Sequence, residues 1–170
     1  MVEGYLLDTS ALTPLVDASH LKHELVTNVI TGLGDAPIYV SVIALAEMLY
    51  GIVLYEKAEG KGLPNAEKMI SHAKLFPRME IGRHTALEYA KLKADLAAHY
   101  LPKVAKQFRK KWVEDWIDKF TGKRLGIDDN DLWICAQARE INFMVIADDK
   151  MSRIRQADPL LRWCPINPTP

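Results

Sequence analysis

Acidic residues follow two apolar runs of the chain at the point where each run ends. Asp8 comes directly after residues 4–7, and Asp148 and Asp149 come directly after residues 143–147. In open parallel sheets, ligands bind at the carboxyl ends of the strands, near a switch in strand order. These acids are therefore candidates for a site, although each one taken alone is also explained as a helix N-cap or a turn residue.

Glu47 lies on the apolar face of a helical pattern. Its neighbours three and four residues away are Ile43, Ala44, Tyr50 and Gly51. An unpaired buried carboxylate is costly, so it must be protonated, paired with a cation or bound to a metal. No cation occurs at helical spacing around Glu47. Pairing with a distant arginine and binding of a metal both remain open.

Asp131 also precedes an apolar helical face, which is formed by Ile134, Cys135 and Ala138. If the helix is capped by Asp128 or Asp129, Asp131 lies in its first turn. The helix dipole then stabilises an exposed carboxylate by about 0.3–1 kcal/mol. That effect is enough to explain Asp131 alone, but it does not explain Glu47.

The chemistry that this set of acids suggests is a site for a hard cation. Mg²⁺ or Mn²⁺ prefers oxygen ligands, and a few carboxylates with water suit it better than histidine or cysteine. Such an ion polarises a phosphodiester and lowers the pKa of bound water. Clustered carboxylates without a cation would repel one another. We therefore expect the acids to cluster and to bind a metal together.

Alternating strands and helices must position these acids. Strands are predicted at residues 4–7, 38–40, 79–81, 143–147 and near 161–164, and helices at 12–16, 20–33, 42–59, 65–76, from 84 to the interruption at 102, 103–120 and 129–140. Ser41 is the expected N-cap of the helix over 42–59. Strands that are continuous apolar runs separated by helices predict a parallel sheet covered on both faces. The 170 residues fit a single domain over 1–170.

Composition favours a cytoplasmic globular protein. The formal net charge is zero, and 49% of the residues are hydrophobic. No apolar run approaches the roughly 20 residues that cross a bilayer, and the first residues do not resemble a signal peptide. We therefore expect no association with a membrane. Cys135 and Cys164 lack metal-ligand spacing, so both are expected to be reduced thiols.

The segment from Pro102 to Arg124 carries most of the charge asymmetry. It has eight basic residues and three acids, so its net charge is +5 and that of the remainder is −5. If it is helical, one edge is an aromatic stripe with four-residue spacing, formed by Phe108, Trp112, Trp116 and Phe120. Such a stripe favours a core-facing or partner-facing edge. The alternative is an RNA-binding arm that uses Lys106, Arg109 and Lys110.

Four segments of the chain resemble the motifs of the PIN-domain family, in the same order along the chain. These segments are Tyr5–Leu12, Val40–Gly51, Asn130–Ala138 and Phe143–Asp149. The second is most similar to the VapC-type toxins. The resemblance implies a three-layer α/β/α fold with a central, mostly parallel sheet and a divalent-metal endoribonuclease that acts on RNA. In the toxin branch it also implies an antitoxin partner and a homodimer.

Carried over by position, the resemblance implies a catalytic and metal-binding set of Asp8, Glu47, Asp131 and Asp149, which would hold Mg²⁺ or Mn²⁺. Asp148 competes with Asp149 for the fourth position. Accessory roles are implied for Asp128, Asp148, Thr9 and Ser10. Ser10 departs from many relatives, which have asparagine there. The stretch between about Tyr100 and Ile127 is longer than in compact relatives.

Other functions have weaker support in the sequence. A phosphatase of the haloacid-dehalogenase kind needs a second aspartate at position 10, where this chain has Ser10. There is no Walker loop and no GxSxG motif. A different metal-dependent phosphoesterase, or a non-catalytic module that binds RNA or protein on the same fold, remains the alternative.

Overall fold

The computed structural model describes residues 3–103, 110–148 and 151–167. Its five strands are β1 (Tyr5–Leu7), β2 (Ile38–Ser41), β3 (Arg78–Met79), β4 (Met144–Ala147) and β5 (Arg162–Pro165). Its seven helices are α1 (Thr9–Val16), α2 (His23–Gly32), α3 (Val42–Glu59), α4 (Ala66–Ala73), α5 (Arg83–Tyr100), α6 (Asp129–Glu140) and α7 (Ser152–Ala157). The described residues thus follow the predicted alternation of strands and helices.

The strands form one sheet in the order β3-β2-β1-β4-β5, and every described pairing is parallel. β1 is central. Its last residue, Leu7, is in register with Val40 of β2 and Ile146 of β4. The chain moves outward from β1 to β3 and then returns to place β4 on the other side of β1. The strand order therefore switches beside β1, which is where parallel sheets bind ligands.

Helices cover the sheet in two layers. The central strands are fully buried at Leu6, Leu7, Val145 and Ile146. Helix α1 contacts α2, α3 and α4, whereas α5 contacts α6 and α7. The prediction of a three-layer α/β/α fold with a parallel sheet is confirmed. Within the described residues, no helix combines the length and the apolar character that crossing a membrane requires.

Ser41 and Gln137 connect the sheet to two of its helices. The Ser41 hydroxyl accepts the amide of Ile43 at 3.1 Å and so caps the start of α3, whose two ends lie where the sequence predicted. The same hydroxyl donates to the buried Gln137 amide oxygen at 2.6 Å, and Gln137 donates to the Met79 carbonyl at 2.7 Å. Because the satisfied Gln137 amide reaches both α3 and β3, it fixes α6 against them.

Helix α5 runs antiparallel to α6 and extends beyond it. Tyr89 stacks on Trp133 with ring centroids 3.9 Å apart, and Lys93 pairs with Asp129, the first residue of α6, at 2.7 Å. Helix α6 begins at the carboxyl edge of the sheet, because its far end leads into the start of β4. The stretch of α5 from Lys93 to Tyr100 adds about 10 Å at 1.5 Å per residue. The chain after α5 therefore emerges on the carboxyl-edge side of the sheet.

The predicted helix over 103–120 is wrong for the residues that the structure describes. Residues 110–120 contain only a 3₁₀ turn at Val113–Asp115, and Ile117 pairs with Arg124 in an isolated antiparallel bridge. Residues 104–109, which include Lys106, Phe108 and Arg109, lie outside the described part of the chain. Trp116 is buried, but Trp112 and Phe120 are exposed, so these three residues do not form one helical stripe.

The reason for this departure is a long-range contact of Asp118. Its carboxylate accepts the backbone amide of Phe120 at 2.9 Å, the hydroxyl of Thr121 at 3.0 Å and the guanidinium of Arg153 at 2.6 Å. Bonds from a side chain to its own backbone compete with helix formation. Asp118 therefore folds the segment into a turn and holds it against α7, a six-residue helix that the sequence did not predict.

We predict that Asp118→Asn lowers stability at neutral pH but not in acid. The Phe120 amide and then the Arg153 guanidinium hold the pKa of Asp118 below its ordinary value. The stabilisation is therefore present above about pH 3.9, the ordinary aspartate pKa, and is lost as pH falls through the lowered value. Urea unfolding between pH 3 and 7 measures this difference. The matched control is Asp95→Asn on the exposed side of α5, and equal curves for the two variants would contradict the prediction.

Candidate active site

Asp8 is held at the end of the central strand. Its backbone amide donates to the Ile146 carbonyl of β4 at 3.1 Å, and its side chain caps α1. One carboxylate oxygen accepts the hydroxyl of Ser10 at 2.7 Å and the amide of Ser10 at 3.3 Å. Asp8 is only 7% exposed. The capping interpretation of Asp8 is therefore confirmed, and its role in a site stays a prediction.

Ser10 joins the ends of the two central strands. While its hydroxyl donates to Asp8, it accepts the backbone amide of Asp148 at 3.0 Å. The Asp148 carboxylate forms an ion pair with Lys22 and also accepts the Asn167 amide at 3.3 Å. The charge of Asp148 is therefore balanced, in contrast to that of Asp8.

Glu47 receives two neutral donors, one from each of two helix N-termini. The Thr9 hydroxyl donates to one carboxylate oxygen, and the Asn130 side-chain amide donates to the other at 2.7 Å. Glu47 is half-buried. Its partners in the described part of the chain are a hydroxyl and an amide, not the distant arginine that a structural role suggested. Among those residues, the Glu47 carboxylate therefore has hydrogen-bond donors but no balancing cation.

Asp131 lies in the first turn of α6, one residue after Asn130. It is half-buried and lines a small cavity of about 90 Å³ with Gly126, Ile127 and the residues 151–154. The neighbouring acids, Asp128 and Asp129, have hydrogen-bond or ion-pair partners of their own. Asp128 caps the helix by accepting the Asn130 amide at 2.8 Å, and Asp129 pairs with Lys93.

Burial raises the pKa of Asp8, and the nearby charge of Glu47 raises it further. The Ser10 hydroxyl and the amides of Thr9 and Ser10 oppose this effect without cancelling it. A second carboxylate near a buried one disfavours ionisation of the buried group, whereas a cation favours it. Asp8 and Glu47 are termed here the coupled pair, because the charge of Glu47 adds to the effect of burial on the pKa of Asp8 and a bound cation would oppose both.

Four acids of this region fall into two groups. Asp129 and Asp148 are paired with lysines, whereas Asp8 and Glu47 have no cationic partner within the described residues. Oxygen donors alone form the coupled pair, which fits Mg²⁺ or Mn²⁺ and not a soft metal. Across the described ranges, no three histidine, cysteine or acidic side chains lie close enough together to hold a metal ion. Asp149 lies outside those ranges, so the four-acid cluster stays a prediction.

Sequence reasoning missed two polar residues of this region, Asn130 and Lys22. The Asn130 amide is 83 positions from its partner Glu47, and Lys22 is 126 positions from Asp148. Neither partnership leaves a local periodic signal. The sequence pointed to Glu47 because it is an acid on an apolar helical face without a local partner. That pattern does not indicate which distant residues donate hydrogen bonds to Glu47.

We predict that Ser10→Ala destabilises the fold by about 1–3 kcal/mol, because it removes a donor from a buried carboxylate. It also frees the Asp148 amide, which otherwise donates to the Ser10 hydroxyl. Urea denaturation measures the free energy of unfolding. Ser71→Ala, at an exposed position of α4, is the control and should change it little. A decrease in Ser10→Ala no larger than in this control would show that the bridge does not stabilise the site.

Comparison with solved structures finds the same fold in bacterial toxin–antitoxin complexes. A chain of VapBC2 from Rickettsia felis bound to promoter DNA is 20% identical, with a TM-score of 0.64 and coverage of 97% of this chain and 98% of that chain. A chain of DNA-bound VapBC from Salmonella typhimurium is 16% identical, with a TM-score of 0.59 and coverage of 98% and 100%. A chain of VapBC-1 from nontypeable Haemophilus influenzae is 21% identical, with a TM-score of 0.57 and coverage of 98% of each chain.

At these identities the structural likeness shows the fold alone. No curated protein matches the sequence significantly. The sequence profile of the PIN domain matches residues 5–158, which is nearly the whole chain. The motifs identified in the sequence and the parallel sheet with its switch beside β1 agree with that match, and the chain belongs to the PIN domain family.

Proposed function

We propose that this protein is a divalent-metal-dependent endoribonuclease that hydrolyses phosphodiester bonds in RNA. The observation that carries the proposal is the coupled pair of Asp8 and Glu47, which lacks a balancing cation in the described residues and lies at the strand-order switch of a PIN domain. An uncompensated pair of this kind costs stability, and a buried carboxylate with a raised pKa, such as Asp8, is typical of functional sites when it lies at a ligand-binding edge.

In this proposal Asp8, Glu47, Asp131 and Asp149 hold Mg²⁺ or Mn²⁺. When bound, the ion supplies Lewis-acid polarisation of the phosphodiester and lowers the pKa of water. The chain's own groups orient the acids: Ser10 holds Asp8, while Thr9 and Asn130 hold the two oxygens of Glu47. Such outer contacts fix the direction in which ligand oxygens point.

The accessory acids rank below this set. Asp128 is engaged as the cap of α6, and Asp148 is engaged by Lys22. Asp148 would have to give up its ion pair with Lys22 before it bound a metal. Lys22 thus favours Asp149 over Asp148 as the fourth acid of the proposed set, in agreement with the motif alignment.

We further propose that the protein is the toxin of a type II toxin–antitoxin pair, with a cognate antitoxin and a homodimer in the cytoplasm. The support is the fold that this chain shares, in the structural comparison, with chains of VapBC complexes and of FitAB bound to DNA. The likeness extends over at least 94% of each of these chains.

The direct test is cleavage of single-stranded and structured RNA by the purified protein in Mg²⁺ or Mn²⁺. We expect cleavage that is abolished by a chelator and reduced more than about 100-fold in Asp131→Asn and in Asp8→Asn, because even the outer contacts of metal ligands contribute 10- to 100-fold. Asp35→Asn, at an exposed turn position, is the matched control and should cleave normally.

Cleavage retained in both variants would place the reaction elsewhere or assign it to a contaminant. A folded protein without any cleavage over a broad RNA panel would favour the non-catalytic binding module on the same fold.

Metal binding has a second test that does not depend on turnover. A ligand that binds only the folded state stabilises it by RT ln(1 + [L]/Kd). We therefore expect Mn²⁺ to raise the thermal midpoint of the wild-type protein and of Asp35→Asn. The rise should be absent in Asp8→Asn and in Glu47→Gln. Equal rises in all four proteins would show that the ion binds away from the acid pair.

A further inference from the structure

Residues 110–124, termed here the basic–aromatic segment, have an unusual distribution of charge. The segment contains five cations and three acids, and all five cations, Lys110, Lys111, Lys119, Lys123 and Arg124, are exposed. One of its acids is directed into the protein. Asp118 is 1% exposed and paired with Arg153, whereas Glu114 is exposed and accepts the backbone amide of Asp129 at 3.0 Å. The outer surface of the segment is therefore more basic than its composition.

Two large aromatic side chains of the segment are exposed beside these cations. Trp112 is 53% and Phe120 is 70% exposed. The Lys111 ammonium lies 4.4 Å from the Trp112 ring centroid, and the Lys119 ammonium lies 4.9 Å from that of Phe120. Exposed aromatic rings that alternate with cations suit single-stranded nucleic acid, because bases stack on the rings and phosphates bind the cations.

The segment is held in a fixed conformation next to the proposed active site. The buried Trp116 donates its indole N–H to the Lys110 carbonyl at 2.9 Å, and the Lys119 amide donates to the Tyr100 carbonyl at 2.9 Å. The Glu114 carboxylate contacts the first turn of α6, which carries Asn130 and Asp131. The overhang of α5 places the segment on the carboxyl-edge side of the sheet, where Asp8 lies.

We propose that the basic–aromatic segment is the surface that binds the single-stranded RNA substrate and leads it to the acid site. Trp112 is its principal stacking residue, because it lies two residues before Glu114, which contacts α6. The exposed cations bind the phosphates that flank the stacked base. The preference for an unpaired strand follows from the stacking, since a base within a duplex has no free face. This inference rests on the proposed ribonuclease function.

The test is equilibrium binding of a fluorescent single-stranded RNA to the full chain in a chelator, so that no cleavage occurs. We expect Trp112→Ala to weaken binding about 5- to 150-fold, the usual range for removal of one base–aromatic stack. The matched control is Tyr50→Ala, which removes an aromatic side chain that is 66% exposed on α3. Its affinity should equal that of the wild-type protein.

The phosphate-binding lysines have their own variant, Lys110→Gln with Lys111→Gln. We expect the slope of log affinity against log salt to flatten by about 0.7 for each phosphate that the variant no longer neutralises. Lys57→Gln with Lys61→Gln, at exposed positions in and after α3, should leave the slope unchanged. A duplex of the same sequence should bind more weakly than the single strand and respond less to Trp112→Ala.

The proposal would be overturned if Trp112→Ala and the double lysine variant both kept the RNA affinity, the salt slope and the thermal midpoint of the wild-type protein. This result would leave the surface free to bind a protein instead of RNA. That failure is distinct from failure of the ribonuclease function. If the protein cleaves RNA but its RNA affinity is unchanged by Trp112→Ala, it has the proposed activity and lacks this binding surface. A protein that binds RNA through Trp112 but never cleaves it has the surface without the enzyme.

Discussion

The physical constraint on which the site depends is the burial of the Asp8 carboxylate at the end of the central strand. β1 has a strand on each side, so the residue that follows Leu7 has little access to water. A buried carboxylate is tolerated only with donors around it. The first turn of α1 supplies them through the hydroxyl and the amide of Ser10. Three consecutive residues then organise the region, because Thr9 also reaches Glu47 and Ser10 also holds the amide of Asp148.

In the described part of the chain, the placement of cations separates the ion-paired acids from the unpaired pair of Asp8 and Glu47, which net charge does not do. A formal charge of zero says nothing about the site. Within the described residues, Lys93 pairs with Asp129 and Lys22 pairs with Asp148. These ion pairs hold α5 and the loop before α2 in place, and they leave Asp8 and Glu47 without a counter-charge among those residues. Removing two like charges from water without compensation destabilises the fold. The arrangement is consistent with a pair of acids positioned for a ligand.

Prediction from sequence succeeded where local patterns determine the structure. The bounds of α3 and α6 follow from the Ser41 cap, the Asp128 cap and the apolar periodicity, all of which are features of adjacent residues. The helix predicted over 103–120 failed because the ion pair of Asp118 with Arg153 spans 35 positions. The donors of Glu47 were missed for the same reason. Local polarity identified an acid that requires a partner, but only the folded chain shows which partner it has.

The proposed phosphodiester substrate would require cations near the acid site, which the basic–aromatic segment carries. Two uncompensated carboxylates repel a phosphate, and at physiological ionic strength this repulsion extends about 8 Å. A bound divalent ion offsets it at the reacting phosphate, but the flanking phosphates need cations of their own. The length of α5 places such cations, because its final turns extend past the start of α6. The exposed lysines of the basic–aromatic segment follow α5 in the chain. The two regions of opposite charge then lie on the carboxyl-edge side of the sheet, where the proposed substrate strand would contact both.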